Sequence, residues 1–183
     1  MRVPNLLSAL PLLPSATPHT LIPPRLAPCP PPPQTFALRS ITYLRYEVSA
    51  PYSSPQPNTT QLVFELENGA TGVATGCACQ DVMRPDGEWA DGGGSLWHAC
   101  ADRALAVGGR ERPVKTSARI EWDAWRLAVN QTWACDESVT TTQFSVLTLA
   151  PTCTENKTGS QYIKECTAPD VVVAATSYNS ISL

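Results

Sequence analysis

Few side chains in this protein could do chemistry, and most of those are cysteines. The 183 residues hold seven of them, Cys29, Cys77, Cys79, Cys100, Cys135, Cys153 and Cys166, against two histidines, His19 and His98. Cys77-x-Cys79 and His98-x-Cys100 make a conceivable tetrahedral zinc set. A serine-type triad would need His98 to have both an orienting carboxylate and a nearby nucleophile. Paired carboxylates could cleave glycosides if two sat about 5 Å or about 6.5–9.5 Å apart. Glu121 with Asp123, and Asp136 with Glu137, are candidates only by adjacency. Asp86, Glu88 and Asp91 hint at calcium but miss the spacing of an EF-hand loop. The expectation is therefore no enzyme, no metal and no cofactor. What the residues do offer is oxidative pairing of thiols.

That chemistry needs an oxidising compartment, and other features agree with one. Three N-glycosylation sequons occur, at Asn58, Asn130 and Asn156. Together with a cysteine framework they point to passage through a secretory pathway and to an extracellular protein. Residues 1–17 begin with a basic Arg2, continue through a short apolar run and end in small residues, the pattern of a signal peptide. Charged residues are 16% of the chain and the net charge is −3, so nothing steers it towards nucleic acid or an anionic membrane. No apolar run reaches the roughly 18 residues that span a bilayer.

Residues 18–38 form a proline-rich segment, with 11 of the 18 prolines lying before residue 35. Such a run favours solvated polyproline and cannot build a core, so this segment is expected to be disordered. Cys29 sits within it. It could stay free or join two chains into a homodimer.

The elements that must position the rest lie in a domain over residues 39–183. Its organising stretch is Glu121–Cys135, EWDAWRLAVNQTWAC. From Trp125 on, Trp125, Leu127, Val129, Gln131, Trp133 and Cys135 alternate with Arg126, Ala128, Asn130, Thr132 and Ala134. Successive side chains of a strand point to opposite faces, so the first set reads as core and the second as wet, with Asn130 outside and Cys135 inside. Further strands are predicted at 40–49, 61–67, 71–79, 97–100, 117–123, 140–149 and 170–176. Trp125 is out of step with Trp122, so a tight turn or bulge near Asp123-Ala124 must reset the faces. Many short strands without convincing helix predict an all-β fold, a small antiparallel barrel or sandwich stapled by disulfides.

Six cysteines follow Cys29. Cys77 and Cys79 share one face of a strand and should reach different partners. Either could pair with Cys100 across the Gly92–Gly94 loop, leaving the other for Cys135. Cys153 and Cys166 bracket a polar stretch and are expected to close it locally.

Thr75–Cys79, Trp97-His98-Ala99-Cys100, the strand Leu127–Trp133, and Leu147–Cys153 with a second cysteine at Cys166 together resemble the Alternaria major-allergen-like proteins. These are small fungal secreted β-barrels. The resemblance covers roughly Ser40–Thr176. It implies a barrel without catalytic machinery that acts as an effector- or allergen-like binding protein. The implied partners are a host extracellular protein or a small phenolic ligand, with a cysteine ahead of the barrel joining two copies. The extra cysteines Cys77/Cys79 and Cys135, and the long proline tract, depart from that pattern.

Of the five tryptophans, Trp97, Trp122, Trp125 and Trp133 fall at inward positions or beside cysteines. Trp89, in the glycine-rich loop Asp81–Ser95, is the candidate contact point for a partner or a sugar ring. Function is thus expected from a rigid sheet presenting the loops Asp81–Ser95 and Thr154–Lys164. The alternatives are a secreted carbohydrate-binding module with an exposed tryptophan row and, further off, a small secreted hydrolase.

Overall fold

A computed structural model describes residues 34–48, 58–135 and 138–181. Residues 1–33, which hold the signal-peptide segment, most of the proline-rich segment, His19 and Cys29, lie outside them, as do Asp136 and Glu137; residues 35–38 of the segment expected to be disordered are instead part of a strand. The described residues contain strands and turns and no helix. The strands are β1 (Thr35–Val48), β2 (Thr59–Asn68), β3 (Ala74–Val82), β4 (His98–Ala99), β5 (Arg103–Val107), β6 (Arg110–Glu121), β7 (Arg126–Ala134), β8 (Val139–Thr148), β9 (Thr152–Thr158), β10 (Gln161–Ala168), β11 (Val171–Ala174) and β12 (Thr176–Ile181).

They form two antiparallel sheets packed face to face. The first runs β3-β2-β1-β10-β9, with β11 also on β1; the second runs β12-β8-β7-β6-β4, with β5 also on β6. The architecture is therefore a sandwich and not a closed barrel. The sheets meet along one side at β3 and β4, where Ala101 N–H donates to the Gly76 carbonyl at 2.9 Å. On the other side the chain steps between sheets at Ala175, whose N–H donates to the Gln34 carbonyl at 2.9 Å.

Strand β1 opens at Thr35, ahead of the expected boundary at Arg39, and contains a bulge between Arg39 and Thr42. Ser40 takes the left-handed region there, at φ 53°. Its N–H donates to Asp170 Oδ1 at 3.1 Å. The extra residue shifts the parity of the buried side chains from Phe36 and Leu38 to Ile41 and Tyr43. It also switches the strand's partner, since residues 35–38 pair with β11 and residues 41–48 with β10.

The core lies between the sheets. Phe36, Leu38, Ile41, Tyr43, Leu62, Phe64 and Leu66 of the first sheet face Ala118, Ile120, Leu127 and Val129 of the second. Each large side chain contributes about 1.5–3 kcal/mol by leaving water. In β7 the expected inward residues Leu127, Val129, Gln131 and Trp133 are buried; Ala128, expected wet, points outward but is covered as well. The faces are reset by the turn at Trp122–Trp125, between paired Glu121 and Arg126, with Trp125 at φ 52°. Gln131 is an amide at 0% exposure, and its cost of burial is met by hydrogen bonds. Asn68 Nδ2 donates to Gln131 Oε1 at 2.8 Å, and Gln131 Nε2 donates to Thr116 Oγ1 at 2.9 Å.

One disulfide, Cys77–Cys100, ties β3 to the segment after β4 with Cα atoms 4.3 Å apart. A second, Cys153–Cys166, joins directly opposed residues of β9 and β10, Cα atoms 4.0 Å apart. The expected link from the C-x-C pair to Cys135 needs correcting, because Cys79 is a buried free thiol. Cys79 faces the core beside Leu62 and Tyr43, in the field of Asp91, which bonds Trp122 just past the end of β6. Cys135 follows Trp133, which pairs with Val114 towards the opposite end of β6. The two therefore sit at different ends of the sandwich. Cys135 is itself disulfide-bonded, and its Sγ lies 2.9 Å from Thr141 Oγ1.

Candidate functional site

Registers carried across the first sheet reveal a row of side chains that no local pattern shows. Asp81 pairs with Thr60, Thr60 with Arg45, Arg45 with Lys164, and Lys164 with Glu155. Opposed residues in an antiparallel ladder share a face. The row one step inward is Cys79, Leu62, Tyr43, Cys166 and Cys153, which faces the core. The polar row is therefore on the same inner face, where the interior changes from apolar to charged. One step further out stand Glu47 and Tyr162, also directly opposed.

Two segments build this row into a site: one covers it and the other carries its far end. The first is the loop after β3, which carries Trp89. Arg45's guanidinium lies over the Trp89 ring at 5.2 Å from its centroid, within cation–π range. The loop is fastened at both ends. Met83 and Trp89 form an isolated bridge, and Asp86 Oδ1 accepts from Glu88 N–H at 3.0 Å. Asp91, 1% exposed, accepts from Leu96 N–H at 2.6 Å and from Trp122 Nε1–H at 3.3 Å. Its own N–H donates to Asp81 Oδ1 at 2.8 Å. Trp122 and Trp125 pack on Tyr43 beneath, with ring centroids 6.1 and 4.8 Å away.

The second segment is the stretch Thr154–Lys164. It is not the loop its polar sequence suggests but a hairpin of β9 and β10. As an edge strand open to water, β9 needs no apolar alternation. Lys164 Nζ lies 2.9 Å from Glu155 Oε1. Hydrogen bonds from Lys164 and Tyr162, with the lysine charge, hold Glu155 below the usual carboxylate range. The same hydrogen bond raises Lys164, and partial desolvation followed by the Glu155 bond raises Tyr162. Burial pulls Arg45 down, but the hydrogen bond and charge of Glu47 outweigh it and raise that group. The result is a rim of paired charges around two aromatic side chains, Trp89 and Tyr162. It can accept and donate hydrogen bonds and offer a ring face, and at its inner end Asp81 Oδ2 is buried without a hydrogen-bond partner among the described residues.

The remaining candidates fall elsewhere. His98 Nε2 is buried without a hydrogen-bond partner among the described residues, 3.8 Å from Asp91 Oδ2. Cys77 and Cys100 are consumed by their disulfide, which removes half of the zinc set. Glu121 stands between Arg119 and Arg126, 3.7 Å from each, in a solvated ion cluster. Among the sequons, Asn156 is exposed on β9 and Asn130 half-buried on the outer face of β7. Asn58 uses both ends of its amide, accepting from Val48 N–H at 2.7 Å and donating to Met83 Sδ at 3.3 Å. The tryptophan row of a carbohydrate-binding module does not form around Trp89, since Trp89, Trp122 and Trp125 are all half-buried. Arg45 was the missed signal: in Ile41, Tyr43, Arg45 and Glu47 it is the first charge at inward parity.

No family model and no curated protein matches this chain. Among solved structures it is similar to a crystal structure of the Alternaria alternata allergen Alt a 1, at TM-score 0.43 and 12% identity over 79% of this chain and 88% of that one. It is also similar to a crystal structure of the Alternaria alternata major allergen Alt a 1, at TM-score 0.42 and 12% identity over 79% of this chain and 94% of that one. The likeness is to a fungal allergen. The same allergen family is the one that the cysteine and tryptophan spacing resembles.

Proposed function

We propose that the chain acts by binding, as a secreted, disulfide-stapled sandwich of the effector or allergen kind. The end that carries Trp89, Arg45 and Tyr162 would receive a small phenolic ligand or a phenol-bearing side chain of a host extracellular protein. The observation that carries this reading is the convergence of the Trp89 loop and the β9–β10 hairpin on one inner-face row. A phenol presents a ring to stack on Trp89 and hydroxyls to meet the Glu47, Glu155 and Lys164 pairs. Arg45, Glu47, Trp89, Glu155 and Lys164 are already paired with one another, which would lower the ordering cost of binding.

Titration of the full chain with a soluble polyphenol, read by tryptophan fluorescence, tests the proposal. Saturable binding is expected, weakened about tenfold by Trp89→Ala, the order of one aromatic contact. Lys164→Met should weaken it as well. Absence of saturable binding, or equal binding by wild type and both variants, would reject the site.

A further inference from the structure

The outer face of the second sheet carries an apolar patch that the binding reading leaves unused. Trp97, Val146 and Tyr178 are exposed, Trp97 to 42%. Phe144 stands beside Trp97, ring centroids 6.4 Å apart, and the Arg119 guanidinium covers the indole at 5.5 Å. Ala128 also points outward, directly between Arg119 and Val146, yet it is only 3% exposed. The patch is thus a continuous covering of β7 rather than scattered side chains. Exposed apolar clusters of this kind mark places where something else sits.

Asn130 lies inside that patch. It is directly opposed to Phe144 on one side and to Ser117 on the other. Ser117 Oγ–H donates to Asn130 Oδ1 at 2.8 Å, which fixes the amide through its oxygen. No described hydrogen bond uses its Nδ2, the atom that would carry a sugar in the sequon Asn130-Gln131-Thr132. The geometry points to an N-linked glycan on Asn130 whose first sugar lies over Phe144 and Trp97, making this glycan the patch's occupant. The apolar C–H face of an N-acetylhexosamine suits an aromatic ring, and its hydroxyls remain in water. A branched sugar rooted at the centre of the patch would keep a flat protein partner from seating there. The inference rests on the secretory reading of the chain, because only that route attaches the sugar.

The test is glycopeptide mapping of the full chain secreted from a yeast host, with the rate of glycan release by a peptide N-glycosidase measured on the folded protein. Asn130 and Asn156 should both be occupied, with slower release at Asn130. Trp97→Ala and Phe144→Ala should each speed release at Asn130 about two- to tenfold, the factor one ring contact supplies, and leave Asn156 unchanged. Trp97→Phe should keep the protection. If Trp97→Ala does not fold, Phe144→Ala supplies the same readout. An empty Asn130 beside an occupied Asn156 overturns this inference alone, as does release at Asn130 that ignores both rings. Sugar at no sequon overturns it together with the secretory reading.

Discussion

The indole N–H of Trp122 donates to the Asp91 carboxylate at 3.3 Å, linking the end of β6 to the middle of the loop that carries Trp89. The same carboxylate takes Leu96 N–H at 2.6 Å, so one buried side chain holds both limbs of the loop. Losing it would strip the acceptor from two part-buried donors. A fully buried orphan costs about 1–3 kcal/mol, and these are partly open to water. Asp91→Ala should therefore lower the unfolding free energy by about 1–3 kcal/mol and free Trp89 from Arg45. Asp91→Asn, which keeps acceptor oxygen, should cost less. Urea titration gives the first quantity and the Trp89 fluorescence shift gives the second. Equal stability of Asp91→Ala and wild type would remove the carboxylate from its role as the loop's pin.

Gly94 and Gly93 make a matched pair. Both have positive φ, 105° and 90°, yet a Cβ on Gly94 would stand 1.9 Å from the Ile120 carbonyl while one on Gly93 meets nothing within 4 Å. The backbone of the loop presses against β6 there, and that contact cannot yield without moving the strand. Gly93→Ala should cost about 1–3 kcal/mol, the strain of an unfavourable backbone region alone. Gly94→Ala adds a backbone clash and should cost clearly more, with a loop displaced from β6. Melting temperatures of the two variants provide the comparison. A larger loss at Gly93 would contradict the packing described here.

Much of the fold is legible because half-buried strands announce their faces. Leu127, Val129, Gln131 and Trp133 could be placed inside, and Leu62, Phe64 and Leu66 likewise, from alternation alone. The polar row of Asp81, Thr60, Arg45, Lys164 and Glu155 could not be found this way. It exists only once four strand registers are fixed, and those depend on a bulge at Ser40, a residue with no special preference for positive φ. The β9–β10 hairpin was hidden for a different reason. An edge strand such as TCTENKT, with only Cys153 packed against the core, shows no apolar alternation and so reads as loop. The pairing of the cysteines turned on which end of β6 each one reached, and spacing along the chain does not carry that information.

The two disulfides whose partners both lie among the described residues should differ in what they protect. Cys77–Cys100 bridges the sheets and spans 23 residues, while Cys153–Cys166 spans 13 within a hairpin that β1 already holds by ladder bonds. On loop-closure grounds the two are nearly equal, about 3 kcal/mol each. Only the first, however, ties β3 to the second sheet. Cys77→Ala/Cys100→Ala should therefore raise hydrogen exchange across β3, β4 and the Trp89 loop. Cys153→Ala/Cys166→Ala should loosen only β9 and β10. Exchange that rises at β9 when Cys77 and Cys100 are removed, with β3 unchanged, would reverse the assignment.

Cys79 allows a pH prediction with a defined sign. Its thiol is buried, and desolvation, helped by the negative charge of Asp91, pushes its pKa from 9.0 up to about 12. In the unfolded chain the thiol ionises near 9.0, while the folded protein keeps the proton until about 12. Between those values the folded state binds more protons than the unfolded one, so this group's contribution is fully present below pH 9 and is lost as pH rises. The slope from this group is at most about 1.4 kcal/mol per pH unit. Cys79→Ala should flatten the alkaline limb of the stability curve by up to that amount, because tyrosine and lysine titrations are common to both proteins. An alkylating reagent at pH 8 should label the Cys79 peptide only after unfolding, since the thiolate is the nucleophile and burial denies it. Labelling of Cys79 in the native protein, or an alkaline limb unchanged by Cys79→Ala, would show that the thiol is not sealed in the core beside Leu62 and Tyr43.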